Sequence, residues 1–448
     1  MRVIIVGAGE VGYQIAKFLS HEEDVEVVVV DVDSKKLSRI TEELDIAVVE
    51  GEGGSPRVLK EAGADDADML LAVTNSDETN MISCLVAKSL FNIKRKIARI
   101  RNEEYYTNKI LLSPEGLDIN PAINPELESA KAILRIIEAP FAYEVEDFEG
   151  GIIKVVGFRV LKDSIIAGKT LREFRDSIDE NILVGIIQRE DKVIIPKGKD
   201  RIQENDIIYL PIHKDNLLKT ATLIRRGLTV AKKIIIAGGG RIGYLVAREL
   251  EKKDITVKLI ERDMERCKFL IKRLNKTLIL NGDGADKTLL EEENIGEMDI
   301  FLALTNNEEL NIMSSLLAKR LGVKKVITLV NRTDFLPLAH SLGIEVVISP
   351  RLITASSILR YVRRGDILSL TTIAEDRAEI IEAGVGKTSK LAGKRIMDLD
   401  VPKATLFGAI IRNNEIIIPS GQDVVQEGDK LIIFALRDSI KKVEELLI

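Results

Sequence analysis

The sequence predicts an α/β protein made by tandem duplication, each half a Rossmann-like parallel-sheet domain followed by a small α+β C-terminal subdomain. Three observations carry this expectation: a glycine fingerprint between an apolar strand and an amphipathic helix, its return half a chain later, and a second repeat built of short strands. Gly7-Ala8-Gly9-Glu10-Val11-Gly12 recurs as Gly238-Gly239-Gly240-Arg241-Ile242-Gly243, an offset of 231 residues. The same offset carries Thr74-Asn75 onto Thr305-Asn306 and Asn80 onto Asn311. Ungapped identity of that density marks a duplication, which is the first thing to seek in a sequence. Further on, Ala167-Gly168-Lys169 matches Ala392-Gly393-Lys394, and Ile194 to Gly198 matches Ile417 to Gly421, at the shorter offsets of 225 and 223. The order is A-B-A-B, with expected domains at residues 1–139, 140–225, 231–364 and 365–448.

The elements follow in order. Arg2 to Val6 is an apolar strand, and the glycine turn opens a helix with Val11, Ile15, Phe18 and Leu19 inward. Glu26 to Val30 is a second strand, ending at Asp31. Asp68 to Val73 is another, and the helix after it places Met81, Ile82, Leu85 and Val86 at helical spacing as its expected inner face. Lys96 to Arg101 alternates as a strand. Continuous apolar strands separated by amphipathic helices indicate a parallel sheet covered on both faces. Ile152–Val156, Leu183–Ile187, Lys192–Ile195 and Ile207–Leu210 are short and split by turn signals, the mark of a small β-rich domain. Segments near Ala130–Ile137 and Ser356–Val362 read as helices leading from A to B.

Composition narrows the function classes. The chain has 448 residues, 65 basic and 71 acidic, for a net charge of −6. Mild acidity gives no general attraction for nucleic-acid phosphates. Basic pairs occur only near expected linkers, at Arg225–Arg226, Lys232–Lys233 and Arg363–Arg364. No apolar run reaches the 18 or so residues that span a bilayer, and Met1-Arg2 leads straight into a strand without a secretory pattern. Cys84 and Cys267 lie in helical patterns without metal-ligand spacing and are expected as reduced core residues. The expected location is cytoplasmic.

The glycine fingerprint has its full context in the first half. Gly7 permits the tight turn, Gly9 lets backbone approach a pyrophosphate, Gly12 allows close helix–strand packing, and the helix N-terminus presents unpaired N–H groups to the anion. Asp31 suits the hydroxyls of an adenosine ribose and repels a 2′-phosphate, favouring NAD or ADP/ATP. In the second half Gly238, Gly240 and Gly243 precede Glu261, which ends strand Val257–Ile260; binding there competes with a decayed structural turn. Gly51-Glu52-Gly53 and Gly282-Asp283-Gly284 are either turns near an adenine or turns alone. Thr74-Asn75 and Thr305-Asn306 sit at the carboxyl edge of a strand, where they either line a nucleotide site or cap the next helix. Arg99 could neutralise ligand phosphates, although its alternation with Ala98 and Ile100 favours a solvated strand face. Its expected second-half counterpart, at the same offset, is Val330.

Other chemistry is missing from the sequence. The three histidines, His21, His213 and His340, sit in no motif, and there is no Walker sequence, GxSxG, HExxH or metal-ligand cluster. Hydride transfer normally needs a positioned acid or base, and the B modules offer no evident one. The expectation is a binding device and not an enzyme; the rival readings are an NAD-dependent oxidoreductase and a nucleotide sensor of a different transporter.

Longer motifs are more specific than the glycines. The run from Gly63 to Asn80, with Pro56 to Ala62 before it and Ile97-Ala98-Arg99-Ile100-Arg101 after it, closely resembles the TrkA family of Trk potassium uptake systems. The tandem arrangement and Val425-Gln426-Glu427-Gly428-Asp429 near the C-terminus extend the resemblance over essentially the whole chain. It implies a regulator of potassium conductance that binds NAD(H) and adenine nucleotides. It further implies a homo-oligomer, dimer or tetramer ring, lying beneath an integral-membrane potassium channel or transporter subunit of the Trk type, peripheral on the inner face of the membrane. By that resemblance Gly7, Ala8, Gly9, Glu10, Val11, Asp31, Thr74, Asn75 and Arg99 form the first site. Gly238, Gly239, Gly240, Arg241, Ile242, Glu261 and Asn306 form the second, where Val330 departs from the arginine.

Overall fold

The computed structural model describes residues 1–448 apart from 23–24, 177–181, 191, 225–229, 360, 363–366, 374–376, 414 and 448. The basic pairs Arg225–Arg226 and Arg363–Arg364, and the expected boundaries at 225 and 364, lie outside the described residues. The modules group in pairs. Met1–Lys131 and Ile234–Val362 form one compact unit, and Ala132–Lys233 with Arg363–Ile448 form the other. A associates with A and B with B.

In the first A module β1 (Arg2–Val6), α1 (Glu10–Leu19), β2 (Glu26–Asp31), α2 (Ser34–Leu44), β3 (Ala47–Glu50) and α3 (Pro56–Glu61) are followed by β4 (Met69–Ala72), α4 (Asp77–Phe91) and β5 (Arg95–Arg99). Short helices α5 (Glu103–Tyr106) and α6 (Lys109–Leu112), strand β6 (Ala122–Ile123) and helix α7 (Pro125–Glu138) complete it. The six strands form one sheet in the order β3-β2-β1-β4-β5-β6, and every pairing is parallel. Order reverses between β1 and β4, which opens a crevice at their carboxyl ends. Val3, Ile5 and Leu71 face one side and Ile4, Val6 and Leu70 the other, all of them buried, as a sheet covered on both faces demands.

The face of α4 is not the expected one. Asn80, Ser83, Cys84 and Ala87 point inward, Met81 and Val86 are half-buried, and Ile82 and Leu85 remain 47% and 37% exposed. The helix lies so close over the sheet that only small or hydrogen-bonding side chains fit beneath it. Gly53 is pressed against Val6 in the same layer, where a Cβ would collide with the valine side chain. Periodicity alone gave the larger apolar residues to the core; close approach assigns that side to the small ones. Burial pushes the Cys84 thiol up to about 12, so it behaves as an inert core group.

The second B–A pair of segments repeats the plan. After β7 (Glu144–Phe148), β8 (Ile153–Arg159), α8 (Leu171–Asp176), β9 (Ile186–Arg189), β10 (Lys192–Ile194), β11 (Ile207–His213) and α9 (Leu217–Ile224), the chain enters the second A module. That module comprises β12 (Lys233–Ala237), α10 (Arg241–Leu250), β13 (Thr256–Glu261), α11 (Met264–Ile271), β14 (Leu278–Asn281), α12 (Lys287–Glu292) and β15 (Ile300–Ala303). It ends with α13 (Glu308–Arg320), β16 (Lys325–Leu329), α14 (Phe335–Ser341), β17 (Val346–Ile348) and α15 (Pro350–Leu359), and its sheet order is β14-β13-β12-β15-β16-β17. Helix α15 is exchanged: Ala355 and Ile358, with Val362 just beyond, enter the core of the first A module among Ile15, Leu19 and Ile97.

The B modules are five-stranded antiparallel sheets, β10-β9-β11-β8-β7 and, from β18 (Ile367–Ile373), β19 (Ala378–Gly384), β20 (Thr405–Arg412), β21 (Glu415–Ile417) and β22 (Lys430–Leu436), the order β18-β19-β22-β20-β21. Helix α16 (Ile440–Leu447) closes the chain. The Gly428-Asp429 motif finds its reason here. Asp429, almost fully buried, accepts Nε and a terminal nitrogen of Arg412 at 2.8 and 2.7 Å, and Asp206 receives Arg189 in the same way at 2.8 Å. A bidentate buried pair of this kind is structural.

Candidate nucleotide sites in the paired A modules

The glycine turns separate what the fold requires from what it leaves free. Gly7 has φ +114°, and a Cβ there would stand 2.9 Å from the Thr74 amide nitrogen. A Cβ on Gly12 would collide with the Gly7 carbonyl oxygen. Both glycines are therefore needed to bring α1 onto β1. Gly9 is different: its φ is −68°, open to any residue, and no atom lies within 4 Å of its Cβ position. Protein packing does not explain a glycine there. Space kept clear at a helix N-terminus fits a close-approaching phosphate. Gly240, φ −59° and equally open, repeats this in the second turn, while Gly238 at φ +109° and Gly243 repeat the required pair.

The acidic residues anchor these turns. Asp31 accepts the Ala8 amide at 2.6 Å and the Asp33 amide at 2.9 Å; Glu261 accepts those of Gly239 and Asp263, both at 2.8 Å. Each carboxylate oxygen retains acceptor capacity for a ribose hydroxyl. In the second module Arg266 donates Nε to the Gly239 carbonyl at 2.6 Å and lies 4.2 Å over the Phe269 ring. Burial lowers the pKa of its guanidinium.

At the far side of the crevice, Asn80 ties two strand ends together. Its Oδ1 accepts the Thr74 amide at 2.9 Å and hydroxyl at 2.7 Å, and its Nδ2 donates to the carbonyls of Thr74 and Arg99 at 3.2 and 2.8 Å. Asn311 does the same for Thr305 and Leu329. A serine and an asparagine cap the helices that follow these strands: Ser76 accepts the Thr79 amide, and Asn307 that of Leu310.

Two corrections concern Arg99. Its half-buried side chain faces the crevice and not bulk solvent, donating to Asn75 Oδ1 at 3.2 Å, while its Nε is buried with no partner. Burial first, then Arg101 and Arg351 nearby, lower its pKa. Its counterpart is Leu329, not Val330, because Asn80 holds the Arg99 carbonyl as Asn311 holds that of Leu329. Helix α13 is two residues shorter than α4 and the connection after it one residue longer, which shifts the offset by one at the fifth strand; Val330 is a fully buried core residue.

One cleft of about 1440 Å³ runs from the first glycine turn to the second. Gly7, Gly9, Glu10, Val11, Asp31, Thr74, Asn75 and Arg99 line it from the first module, and Gly240, Arg241, Ile242 and Asn306 from the second. Ala8, Gly12, Gly238, Gly239, Gly243 and Glu261 support the turns without forming the wall. The wall also holds residues that the motifs did not reveal: Lys36, Arg101, Glu126, Arg266 and Arg351. Pro125-Glu126 and Pro350-Arg351 open equivalent helices, and comparing the halves at that offset would have exposed them. Their charges are crossed. Arg351 stands 3.9 Å from Glu10 of the first turn, and Glu126 stands 3.8 Å from Arg241 of the second while binding Arg101 Nε at 2.7 Å.

Paired parallel-sheet domains with glycine turns facing a common cleft, each chain segment continuing into a small antiparallel domain, define a tandem Rossmann-like fold. The TrkA-N domain family matches residues 3–125 and 234–350, and the TrkA-C domain family matches residues 155–225 and 380–448. The Trk system potassium uptake protein TrkA of Halomonas elongata is 41% identical over 100% of this chain and 98% of its own length, and that of Azorhizobium caulinodans is 37% identical with the same coverage. The chain belongs to the TrkA family of Trk system potassium uptake proteins. In fold it is similar to the GsuK channel bound to NAD, with a TM-score of 0.62 at 18% identity, covering 100% of this chain and 78% of that one. Among the described residues no helix is long and apolar enough to cross a membrane.

Proposed function

We propose that this chain is the nucleotide-binding regulatory subunit of a potassium uptake system, acting at the inner face of the membrane on an integral-membrane partner of the Trk type. The observation that carries the ligand class is Gly9, a glycine the fold does not need, at the mouth of a helix N-terminus in the cleft that Arg99 also lines. NAD(H) and ADP or ATP fit this set. Asp31 would take the ribose hydroxyls, the turn from Gly7 to Val11 the phosphates, and Arg99 with Asn75 the phosphate farthest from the adenosine. The likeness in fold to a channel bound to NAD supports the same class.

Regulation then requires that nucleotides bind two states unequally, since a ligand shifts an equilibrium only by its differential affinity. Moving a gate from 1:99 to 99:1 takes about 5.5 kcal/mol, within reach of several sites coupled at about 1–3 kcal/mol each. The cleft between the A modules is where such a difference can arise, because both glycine turns and the charges between them share it. A homo-oligomer multiplies the sites available.

The test is rubidium uptake at low external potassium in cells lacking this gene and any redundant potassium system. Wild type is expected to restore uptake and Gly9→Ala, which the fold accommodates, to fail. Full rescue by Gly9→Ala would remove nucleotide control from the reading, and no rescue by wild type would remove potassium uptake.

A further inference from the structure

We propose that Arg351, carried by the second A module, completes the first nucleotide site and makes it selective for nucleotides with a terminal phosphate over dinucleotides. This rests on the nucleotide-binding reading above. Helix α15 leaves its own module to pack on the first, and its opening residues Pro350, Arg351 and Thr354 form part of the cleft wall beside the first glycine turn. Arg351 is held only loosely, at 3.9 Å from Glu10, with its side chain 41% exposed. A separation of that size in a partly solvated cleft is a weak ion pair, of the kind that a better anion displaces.

The neighbours of Arg351 indicate what anion that is. Arg99 lies close enough for Arg351 to depress its pKa, and its buried Nε has no protein partner. Arg99, Arg101 and Arg351 bring three guanidinium groups to the first part of the cleft, where Glu126 and Asp77 act on Arg99 and Glu10 stands by Arg351. A terminal phosphate carries about −1.5 to −2 at neutral pH and three acceptor oxygens, whereas each phosphate inside a dinucleotide carries a single charge. Bidentate arginine contacts reward the former. The second site lacks this arrangement at every equivalent position: Leu329 replaces Arg99, Glu126 replaces Arg351, and Arg241 replaces Glu10. Selectivity for a terminal phosphate therefore belongs to the first site and depends on a residue from the other module.

The test is calorimetric titration of ATP and of NADH into the full-length chain and its variants. Arg351→Gln is expected to weaken ATP about tenfold or more, as loss of a charged hydrogen bond does, and to leave NADH within about twofold. Glu10→Gln removes the carboxylate that competes with the phosphate for Arg351 and is expected to tighten ATP. Unchanged ATP affinity in Arg351→Gln would overturn the proposal. So would equal weakening by Glu10→Gln, which would show that the ion pair merely holds the modules together. Wild type that binds neither nucleotide would instead overturn the nucleotide-binding reading itself.

Discussion

The two A modules share a skeleton and differ where a ligand would lie. Both have a glycine of positive φ, a glycine under the helix, an open middle glycine, an acid holding the turn and an asparagine clasping two strand ends. These are backbone devices, and duplication has preserved them. The side chains facing the cleft have diverged: arginine became leucine at the end of the fifth strand, and the charges at the turn and the exchanged helix reversed sign. Positions that solve a folding problem are copied, and so is the open middle glycine that the fold does not need; the charged side chains of the cleft wall have changed. The difference teaches that the turn alone does not define a binding site, since two nearly superimposable turns carry different surroundings.

Substitutions at the turns break the comparison most strongly. Gly7→Ala forces a side chain into a positive-φ position against the Thr74 backbone, and we expect about 3 kcal/mol of destabilisation, read by denaturant unfolding. Gly238→Ala should cost a similar amount. Gly9→Ala and Gly240→Ala should stay within about 0.5 kcal/mol of wild type while nucleotide affinity falls at the altered site. Destabilisation by Gly9→Ala as large as that of Gly7→Ala would mean that packing requires this glycine after all.

Next in size are the asparagine clasps. Each satisfies three backbone groups and a hydroxyl in a buried setting, so Asn80→Ala and Asn311→Ala should each lose about 2–3 kcal/mol. Equal losses would confirm that the skeleton is common to both modules; a much smaller loss for Asn311→Ala would locate divergence in the skeleton too. The smallest effect in free energy is expected from Arg99→Leu, which gives the first module the residue of the second. ATP affinity, measured by calorimetry, should fall about tenfold. The unfolding midpoint should hold or rise, because the change removes a desolvated cation from a partly buried position.

Much of this was legible in the sequence. Strand β1 spans the residues its apolar run indicated, and β2 ends at Asp31 as the fingerprint requires. The short strands of the B modules were visible from their turn residues, although β9 starts at Ile186, later than Leu183–Ile187 indicated, and β7, whose Glu144 to Phe148 alternates acidic and apolar groups, was not seen. What the sequence hid was distance. The inner face of α4 was misread because hydrophobicity says which residues avoid water, not how near a helix can approach a sheet. Arg99 was read as solvated because alternation along one strand says nothing of the walls around it. Arg351 was invisible because it serves a turn far away in the chain, and the pairing of A with A is a long-range choice that no local pattern records.

The crossed charges at the two turns carry a historical consequence. Two copies of the first half, joined as the halves are here, would set Glu10 against Glu126; two copies of the second would set Arg241 against Arg351. An ancestral half with neutral residues at these places could have assembled with its own twin. Once the signs reversed, the halves ceased to be interchangeable. Each half is now charge-matched at these two places to the other half and not to a copy of itself.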